Sequence, residues 1–271
     1  MRCKICGESA RETHSALILG QHQVSYWYCD ACEFWCTDEP HWLAQAYSKA
    51  ISDADVGLVA RNLSLTRRLT PVLLGIFGNT GTYVDYAGGY GLLVRLMRDI
   101  GFDFYWQDAY AQNLFAQAFE FGDRQPTAVT AVTAVEAFEH LPDPLAFIDE
   151  VVQSTGTDTI VFTTELHDAS LNTDWWYLTP DLGQHVAFYT RKTLDAIGGQ
   201  TGMRAYSCHG LHMLTRRGDV SQRKFEVLTK TSRLTFPLAK KRMTSRIQED
   251  FAAALAAAHV DAGGEGVGGK E

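Results

Sequence analysis

An acidic residue and a run of glycines stand together near the middle of the first half of the chain. Asp85 ends a short apolar stretch, and Gly88, Gly89 and Gly91 follow it closely. Beyond them, apolar residues recur at helical spacing. A strand, a glycine turn and a helix form the first unit of a nucleotide-binding α/β fold, where residues without a Cβ let the backbone approach a ligand.

The spacing of the glycines decides which ligand is expected. A dinucleotide fingerprint requires G-x-G-x-x-G, and Val94 stands where the third glycine would be, which disfavours NAD. The pattern Asp-x-Ala-Gly-Gly-x-Gly resembles motif I of class I S-adenosylmethionine-dependent methyltransferases, usually written D-x-G-x-G-x-G, with Ala87 in place of its first glycine. The resemblance implies a set of cofactor-binding residues: Asp85, Ala87, Gly88, Gly89, Tyr90 and Gly91.

A second acidic residue follows the next predicted strand. Residues 102–107 are rich in aromatic side chains, and Asp108 comes directly after them, a little over twenty residues past Asp85. A carboxylate in this place holds ribose hydroxyls in such folds. We therefore add Asp108 and its neighbour Ala109 to the expected cofactor site. The alternative is that Asp108 caps a following helix.

The segment from Glu136 to Pro144 closely resembles the E-x-x-E-H-x-x-x-P motif that follows the fourth strand in many small-molecule methyltransferases. The resemblance implies that Glu136 and His140 line the junction of cofactor and substrate, as catalytic candidates, and that Glu136 also contacts the cofactor. The carboxyl ends of strands are where open α/β sheets bind ligands. The alternative is that Glu139 and His140 cap the helix that begins near Pro144.

A third candidate lies further along the chain. Gly183-Gln184-His185 precedes a short predicted helix and again resembles the family, where this segment faces the methyl acceptor. His185 is the candidate general base, because imidazole titrates near neutral pH. A structural, hydrogen-bonded histidine is the alternative. Residues 175–177 form an aromatic group that could act as a lid or a pocket wall.

Two C-x-x-C pairs at the amino end predict a metal site. Cys3, Cys6, Cys29 and Cys32 have a spacing close to that of zinc ribbons, with strand-like segments between the pairs. Four thiolates satisfy zinc in a closed tetrahedron, so the site is expected to be structural. Unpaired thiols, or disulfides in an exported protein, are the alternatives. Weaker candidate ligands are Cys36, His14, His22 and His41.

The remaining pattern predicts a doubly wound, Rossmann-like α/β sheet with a terminal antiparallel hairpin around residues 209–210, plus a small zinc ribbon. A helix containing residues 113–121 is expected after Asp108. The predicted divisions are a ribbon (1–40), a helical connector bent near Pro71 (41–81), a methyltransferase core (82–216), a helical extension (217–262) and a disordered tail (263–271). The alanine-rich extension could pack on the core or form a homodimer contact.

Composition narrows the choice of partners. The net charge of −8 disfavours nucleic-acid binding, and no apolar run is long enough for a membrane span, so we expect a cytoplasmic enzyme. The resemblance implies S-adenosylmethionine-dependent methyl transfer to a small molecule, such as a sugar or nucleotide-linked sugar of a cell-surface or secondary-metabolite pathway. Alternatives are an RNA or protein methyltransferase that uses the zinc module for binding, and a non-catalytic protein of the same fold.

Overall fold

The computed structural model of the chain describes residues 1–47, 56–122 and 128–264, with side chains to residue 256. The strands are β1 (Arg11–Ile18), β2 (His22–Tyr28), β3 (Trp35–Thr37), β4 (Thr82–Tyr86), β5 (Asp103–Gln107), β6 (Ala131–Ala134), β7 (Thr159–Thr163), β8 (Ala187–Phe188), β9 (Arg204–Cys208) and β10 (Leu211–Thr215). The helices are α1 (Leu43–Ala46), α2 (Leu58–Phe77), α3 (Leu92–Ile100), α4 (Pro144–Thr155), α5 (Arg191–Thr201), α6 (Gln222–Lys230), α7 (Ser232–Lys241) and α8 (Ile247–Gly264).

The larger sheet has six strands in the order β5-β4-β6-β7-β10-β9. Strands β5, β4, β6 and β7 are parallel, and β10 runs antiparallel to both β7 and β9. A parallel bridge from Trp106 to Glu120 extends the sheet beyond β5. The expected doubly wound sheet with a terminal antiparallel hairpin is confirmed. His209 and Gly210, both with positive φ, form the predicted two-residue turn between β9 and β10.

The carboxyl ends of β4 and β6 lie side by side because these strands pair in parallel. Three helices adjoin the larger sheet, and residues with capping chemistry mark their ends. Helix α3 ends at Gly101, α4 begins after Asp143 and ends at Gly156, and α5 begins at Thr190 with a capping box. Asp143 caps α4 by accepting a hydrogen bond from Ala146 N at 3.0 Å, so neither Glu139 nor His140 serves as that cap. Both side chains are left for other roles.

The helix expected at residues 113–121 does not form. The side chain of Asn113 accepts a hydrogen bond from Ala116 N at 2.9 Å and donates to Ala116 O and to Glu120 Oε1. Such local side-chain bonds offer the backbone an alternative to a helix. The segment is a series of turns that packs against the glycine loop. The helical region that the sequence predicts as interrupted or bent near Pro71 is not interrupted there, since α2 runs continuously through Pro71.

The amino-terminal sheet is completed by the core. Its order is β1-β2-β3-β8, and β3 pairs with β8 through Trp35 with Phe188 and Cys36 with Ala187. Aromatic side chains, among them Tyr26, fill the space beneath it. The sheet is therefore packed against the strand that immediately follows the His185 segment.

The carboxyl-terminal helices cover α2 and α3. Arg98 of α3 is 2% exposed and forms two hydrogen bonds to Asp250 of α8, with nitrogen–oxygen distances of 2.9 and 2.7 Å. A bidentate pair of this kind fixes the start of α8. No helix in the described residues is long and apolar enough to cross a membrane. Residues 263 and 264, the first two of the tail predicted to be disordered, end α8, and the rest of that tail lies outside the described residues.

Candidate functional site

The glycine loop turns sharply between β4 and α3. Ala87, Gly89 and Gly91 all have positive φ, of 64°, 53° and 83°. At Gly91 a Cβ would stand 2.7 Å from Asn113 Oδ1, so a larger residue has no space there. Ala87 is exposed and takes up the left-handed conformation that is cheap only for glycine, which explains why the motif usually has glycine in this place.

Asp108 holds this loop from the neighbouring strand end. Its Oδ2 accepts a hydrogen bond from Gly89 N at 2.9 Å, and its Oδ1 accepts from Tyr110 N and Ala111 N, each at 2.7 Å. A carboxylate offers about four acceptor positions. Oδ2 therefore keeps capacity for one hydroxyl. The bonds to Tyr110 and Ala111 are of the capping type that was the alternative for Asp108, although no helix follows.

Asp85 lies beneath the loop, whereas Ala109 lies on the surface beside it. The Asp85 side chain is 2% exposed and accepts a hydrogen bond from Thr133 Oγ1. A Cβ on Gly88 would stand 3.2 Å from Asp85 Oδ2, so the carboxyl group supports the loop from below. Burial raises the pKa of Asp85 to about 7. Tyr90, half-buried in the loop, accepts backbone hydrogen bonds that tie the loop to residues 114 and 115.

Glu136 occupies the neighbouring strand end, just past β6. Its φ is 50°, a left-handed value that is uncommon for glutamate and that concentrates at functional sites. Thr163 fixes it by accepting from Glu136 N at 2.9 Å and donating to its Oε1 at 2.8 Å. Its Oε2 lies 4.0 Å from Arg61 Nε. The side chain is 38% exposed, so this carboxylate is accessible at the edge of the sheet.

Three further side chains meet beside Glu136. One oxygen of Glu139 and one ring nitrogen each of His140 and His185 lie within 4.8 Å of one another. His140 Nδ1 is 3.0 Å from Gln184 O, and His185 Nδ1 is 2.6 Å from Tyr177 O. A carbonyl oxygen only accepts, so each Nδ1 carries the proton and each Nε2 carries a lone pair. We call Glu139, His140 and His185 the Glu–His–His cluster.

The electrostatics of the cluster follow from burial. Glu139 is 0% exposed, and among the described residues neither of its carboxylate oxygens makes a hydrogen bond of normal geometry, although the Tyr177 hydroxyl is close enough to lower its pKa. Burial, with a contribution from the charge of Glu136, raises the pKa of Glu139 to about 7. Burial lowers the pKa of both His140 and His185, and in His185 the neighbouring His140 lowers it further. Both imidazoles are therefore neutral at pH 7.

Tyr47 connects the two halves of the site. Its ring stacks on Tyr110 with a centroid distance of 5.7 Å and meets the edge of His140 at 6.0 Å. Burial raises the pKa of Tyr47, and the charges of Glu139, Tyr110 and Asp108 raise it further. The glycine loop and the Glu–His–His cluster thus face one continuous region at the carboxyl edge of the sheet.

The sulfur atoms of Cys3, Cys6, Cys29 and Cys32 lie within 4.8 Å of one another. Cys3 Sγ is 3.5 Å from Cys32 Sγ, and Cys6 Sγ is 3.5 Å from Cys29 Sγ. Zn–S bonds of about 2.3 Å in a tetrahedron place sulfurs about 3.8 Å apart, so the four thiols fit the ion. We call these residues the cysteine knuckles.

The two knuckles have the same backbone form. Gly7 N donates to Cys3 O, Glu33 N donates to Cys29 O, and Gly7 and Glu33 both have positive φ. The other candidate ligands stay outside. Cys36 is buried beside the site, where burial raises the pKa of its thiol to about 12. His14 stacks on Tyr26, and the rings of His22 and His41 contact each other.

Sequence reasoning missed three residues of this region. Glu139 was considered only as a helix cap, Tyr177 only as part of an aromatic group, and Tyr47 was not among the candidates. The repeated acidic residue in Glu136-x-x-Glu139-His140 is the one signal that points to Glu139, because glutamate and histidine side chains occur together as zinc ligands. Nothing in the sequence marks Tyr47.

The profile of a family described as methyltransferase domain matches residues 59–207, more than half of the chain. The match covers the glycine loop, Asp108 and the Glu–His–His cluster. The chain therefore belongs to the methyltransferase-domain family, and with this sheet it is an enzyme of the class I S-adenosylmethionine-dependent type. No curated protein sequence matches it.

Solved structures with similar folds have low sequence identity. TnmH is 15% identical with a TM-score of 0.41, over 65% of this chain and 60% of TnmH. The mitomycin 7-O-methyltransferase MmcR is 11% identical with a TM-score of 0.39, over 65% of this chain and 68% of that protein. Human N-acetylserotonin methyltransferase is 11% identical with a TM-score of 0.39, over 65% of each chain. These similarities do not identify the methyl acceptor.

Proposed function

We propose that the chain transfers a methyl group from S-adenosylmethionine to a hydroxyl of a small molecule, with a sugar or nucleotide-linked sugar as the acceptor class. The observation that carries this proposal is the shared edge of the sheet. There the glycine loop with Asp108 stands on one side, the Glu–His–His cluster with Glu136 stands on the other, and Tyr47 connects them.

The cofactor side is supported by chemistry that the residues offer. The free acceptor capacity of Asp108 Oδ2 suits a ribose hydroxyl, and the tight turn from Gly88 to Gly91 leaves backbone open to the methionine portion. Asp85 acts from below by supporting the loop. When bound, S-adenosylmethionine supplies a methyl group on a sulfonium sulfur. Tyr90 and Ala109 complete the proposed contacts.

The Glu–His–His cluster supplies a group that can take the proton of the acceptor hydroxyl. Methyl transfer would form a bond between the acceptor oxygen and the methyl carbon and leave the electron pair of the broken carbon–sulfur bond on sulfur. The hydroxyl proton must leave at the same stage. His185 Nε2 has the free lone pair to take it, because Nδ1 is committed to Tyr177 O. Glu136 and His140 orient the acceptor, which lowers the entropic part of the barrier.

A macromolecular substrate has less support. The net charge is −8, and the cysteine knuckles pack into the protein core, with Lys4 Nζ donating to Pro142 O at 2.9 Å. We propose that the knuckles hold a structural zinc ion, since four thiolates leave it no open position. The module then acts as a wall that supports the His185 segment.

Binding of S-adenosylhomocysteine, measured by calorimetry, tests the cofactor assignment. We expect Asp108→Asn to weaken binding about tenfold or more, because one charge-assisted hydrogen bond contributes about 1.5–3 kcal/mol. Asp149→Asn, at an exposed position on α4, is the matched control and should bind normally. Binding of NADH in place of both adenosyl compounds would refute the proposal.

Turnover tests the acceptor side. The purified enzyme is incubated with S-adenosylmethionine and a panel of nucleotide-linked sugars, and mass spectrometry detects the product that has gained one methyl group. We expect His185→Gln to lose turnover while it keeps its affinity for S-adenosylhomocysteine. A wild-type protein that binds the cofactor and methylates no hydroxyl compound would favour a non-catalytic binding protein.

A further inference from the structure

Glu139 presents an unusual problem for a folded protein. Its carboxylate is fully buried, and among the described residues neither oxygen makes a hydrogen bond of normal geometry, so its polar surroundings are the Tyr177 hydroxyl and two imidazoles. An isolated buried carboxylate is costly unless it is paired or coordinates a metal. The Arg61 guanidinium lies 4.0 Å from Oε2 of the neighbouring carboxylate, Glu136.

The histidines are oriented as metal ligands are. Metal-binding histidines usually donate their other ring N–H to a carbonyl or carboxylate, which fixes the tautomer and the ring plane. His140 and His185 both do this, to Gln184 O and Tyr177 O. The two bonds interlock the ligands, because the carbonyl that orients His140 belongs to the residue next to His185.

We infer that Glu139, His140 and His185 bind a divalent first-row transition-metal ion, separate from the zinc ion at the cysteine knuckles. Ligand bonds are about 2.0–2.2 Å long for such ions, so side-chain adjustments of less than about 1 Å bring the three ligand atoms onto one ion. Two neutral imidazoles and a carboxylate suit zinc, iron or manganese. The adjacent Glu136 adds negative charge that favours the cation.

The Glu–His–His cluster is an open metal site, whereas the cysteine knuckles form a closed one with four protein ligands. Three protein ligands leave positions for water or for an oxygen of the acceptor, and both histidines are partly exposed. An ion in this place lowers the pKa of a hydroxyl bound to it. This catalytic role rests on the proposed methyl transfer, whereas binding of the ion does not.

A bound ion changes which group takes the proton. With an ion bound, His185 Nε2 would be a ligand and no longer the base, and the proton of the acceptor hydroxyl would pass to the half-exposed Glu136. The oxygen lone pair forms the new bond to the methyl carbon, and the sulfur keeps the electron pair of the bond that breaks. The arrangement therefore gives Glu136 the role of proton acceptor.

Metal content separates the two sites. The full-length protein is equilibrated with excess Zn²⁺, desalted and analysed by elemental mass spectrometry. We expect two zinc ions per chain in the wild type and one in Glu139→Gln and in His185→Asn. His41→Asn is the matched control, because His22 and His41 form another close histidine pair in the described residues, with ring centroids 5.2 Å apart. Loss of the second ion in this control, or a single ion in the wild type, would overturn the inference.

A cobalt titration identifies the ligands directly. Co²⁺ is added to protein that already holds one zinc ion at the cysteines. We expect one equivalent to bind with visible d–d absorption and without the sulfur-to-cobalt charge-transfer bands of a thiolate site. Far-UV circular dichroism and thermal unfolding show that Glu139→Gln, which keeps the shape of the side chain, is folded. Equal Co²⁺ affinity in folded Glu139→Gln and wild type would refute the site.

The outcomes also distinguish this inference from the proposed function. One outcome is that Co²⁺ fails to bind, while the enzyme binds S-adenosylhomocysteine and methylates an acceptor in the presence of a chelator. The metal site is then wrong and the proposed methyl transfer stands. If Co²⁺ binds as described and neither adenosyl compound does, the metal site stands and the proposed function fails.

Discussion

The cysteine knuckles and the Glu–His–His cluster both gather side chains that can hold a divalent cation, yet they differ in almost every other respect. The knuckles bring together four identical soft ligands in a closed arrangement. The cluster brings together two kinds of ligand at a partly exposed edge of the sheet. A closed site suits folding, and an open site suits chemistry. Ligand type and exposure together, not the presence of ligands alone, separate the two uses.

The largest expected effect comes from breaking the knuckles. Cys29→Ser should abolish zinc binding at this site and unfold the sheet of β1 to β3, lowering the melting temperature by about 10 °C or more, because metal binding and folding are coupled in such modules. Differential scanning calorimetry and zinc analysis measure both quantities. Cys208→Ala, which alters a buried thiol of β9 outside the site, should retain zinc. If Cys29→Ser kept the zinc content and the melting temperature of the wild type, the cysteine knuckles would not be a structural metal site.

A buried carboxylate with a partner offers the next comparison. Asp85 resembles Glu139 in burial, but Thr133 donates to it. Its pKa is raised to about 7, so the folded state binds more protons than the unfolded state between about pH 4 and 7. Stability must fall as pH rises through this window. Asp85→Asn removes this loss. Between pH 4 and pH 8, the unfolding free energy of the variant should therefore rise by about 1–4 kcal/mol relative to that of the wild type.

Urea unfolding at several pH values measures this effect. Asp149→Asn, an exposed substitution on α4, should keep the wild-type slope of unfolding free energy against pH. Parallel curves for wild type and Asp85→Asn would show that the Asp85 carboxyl group does not titrate in this range.

The cofactor loop can be altered without touching either cation site. Gly91→Ala forces alanine into a left-handed conformation and places its Cβ against Asn113 Oδ1, for a cost of about 1–2 kcal/mol from the backbone alone. We expect affinity for S-adenosylhomocysteine to fall about tenfold or more, with metal content unchanged. Gly156→Ala is the matched control, since its φ is 68° and no atom lies within 4 Å of the added Cβ. It should lose only the backbone cost of about 1–2 kcal/mol and keep its affinity.

The smallest expected effect is a gain. Ala87→Gly relieves left-handed strain at an exposed position and should raise the free energy of unfolding by about 0.5–1 kcal/mol after the greater flexibility of glycine in the unfolded chain is included. Thermal unfolding measures the gain. A loss of stability would mean that the Ala87 methyl group packs on something other than solvent.

The two sites differ in how far apart their residues lie along the chain, and this decides how well each can be predicted from sequence. Both knuckles are visible because each pair of ligands lies within one tight turn, so spacing alone carries the signal. The sheet, its hairpin and the helix caps at Gly101, Gly156 and Thr190 were predictable for the same reason, since local periodicity and capping determine them.

The Glu–His–His cluster was only partly predictable, because its third member comes from a segment 45 residues beyond His140. The tautomers that expose the two Nε2 atoms depend on carbonyls of Gln184 and Tyr177, which no spacing encodes. The helix expected at 113–121 was wrong because the Asn113 side chain competes for the backbone. The pairing of β3 with β8 joins distant parts of the chain and left no local pattern.

That pairing has a consequence for synthesis of the protein. All four knuckle cysteines have left the ribosome long before β8 is translated, so the proposed zinc ion can bind and close the first hairpin while the fourth strand of its sheet is still missing. The edge of β3 therefore stays unpaired during more than half of translation. Unpaired strand edges promote association between nascent chains. Early metal capture would hold β1 to β3 in register during this delay. A shortage of zinc should therefore reduce the yield of folded protein more than it reduces the activity of molecules that have already folded.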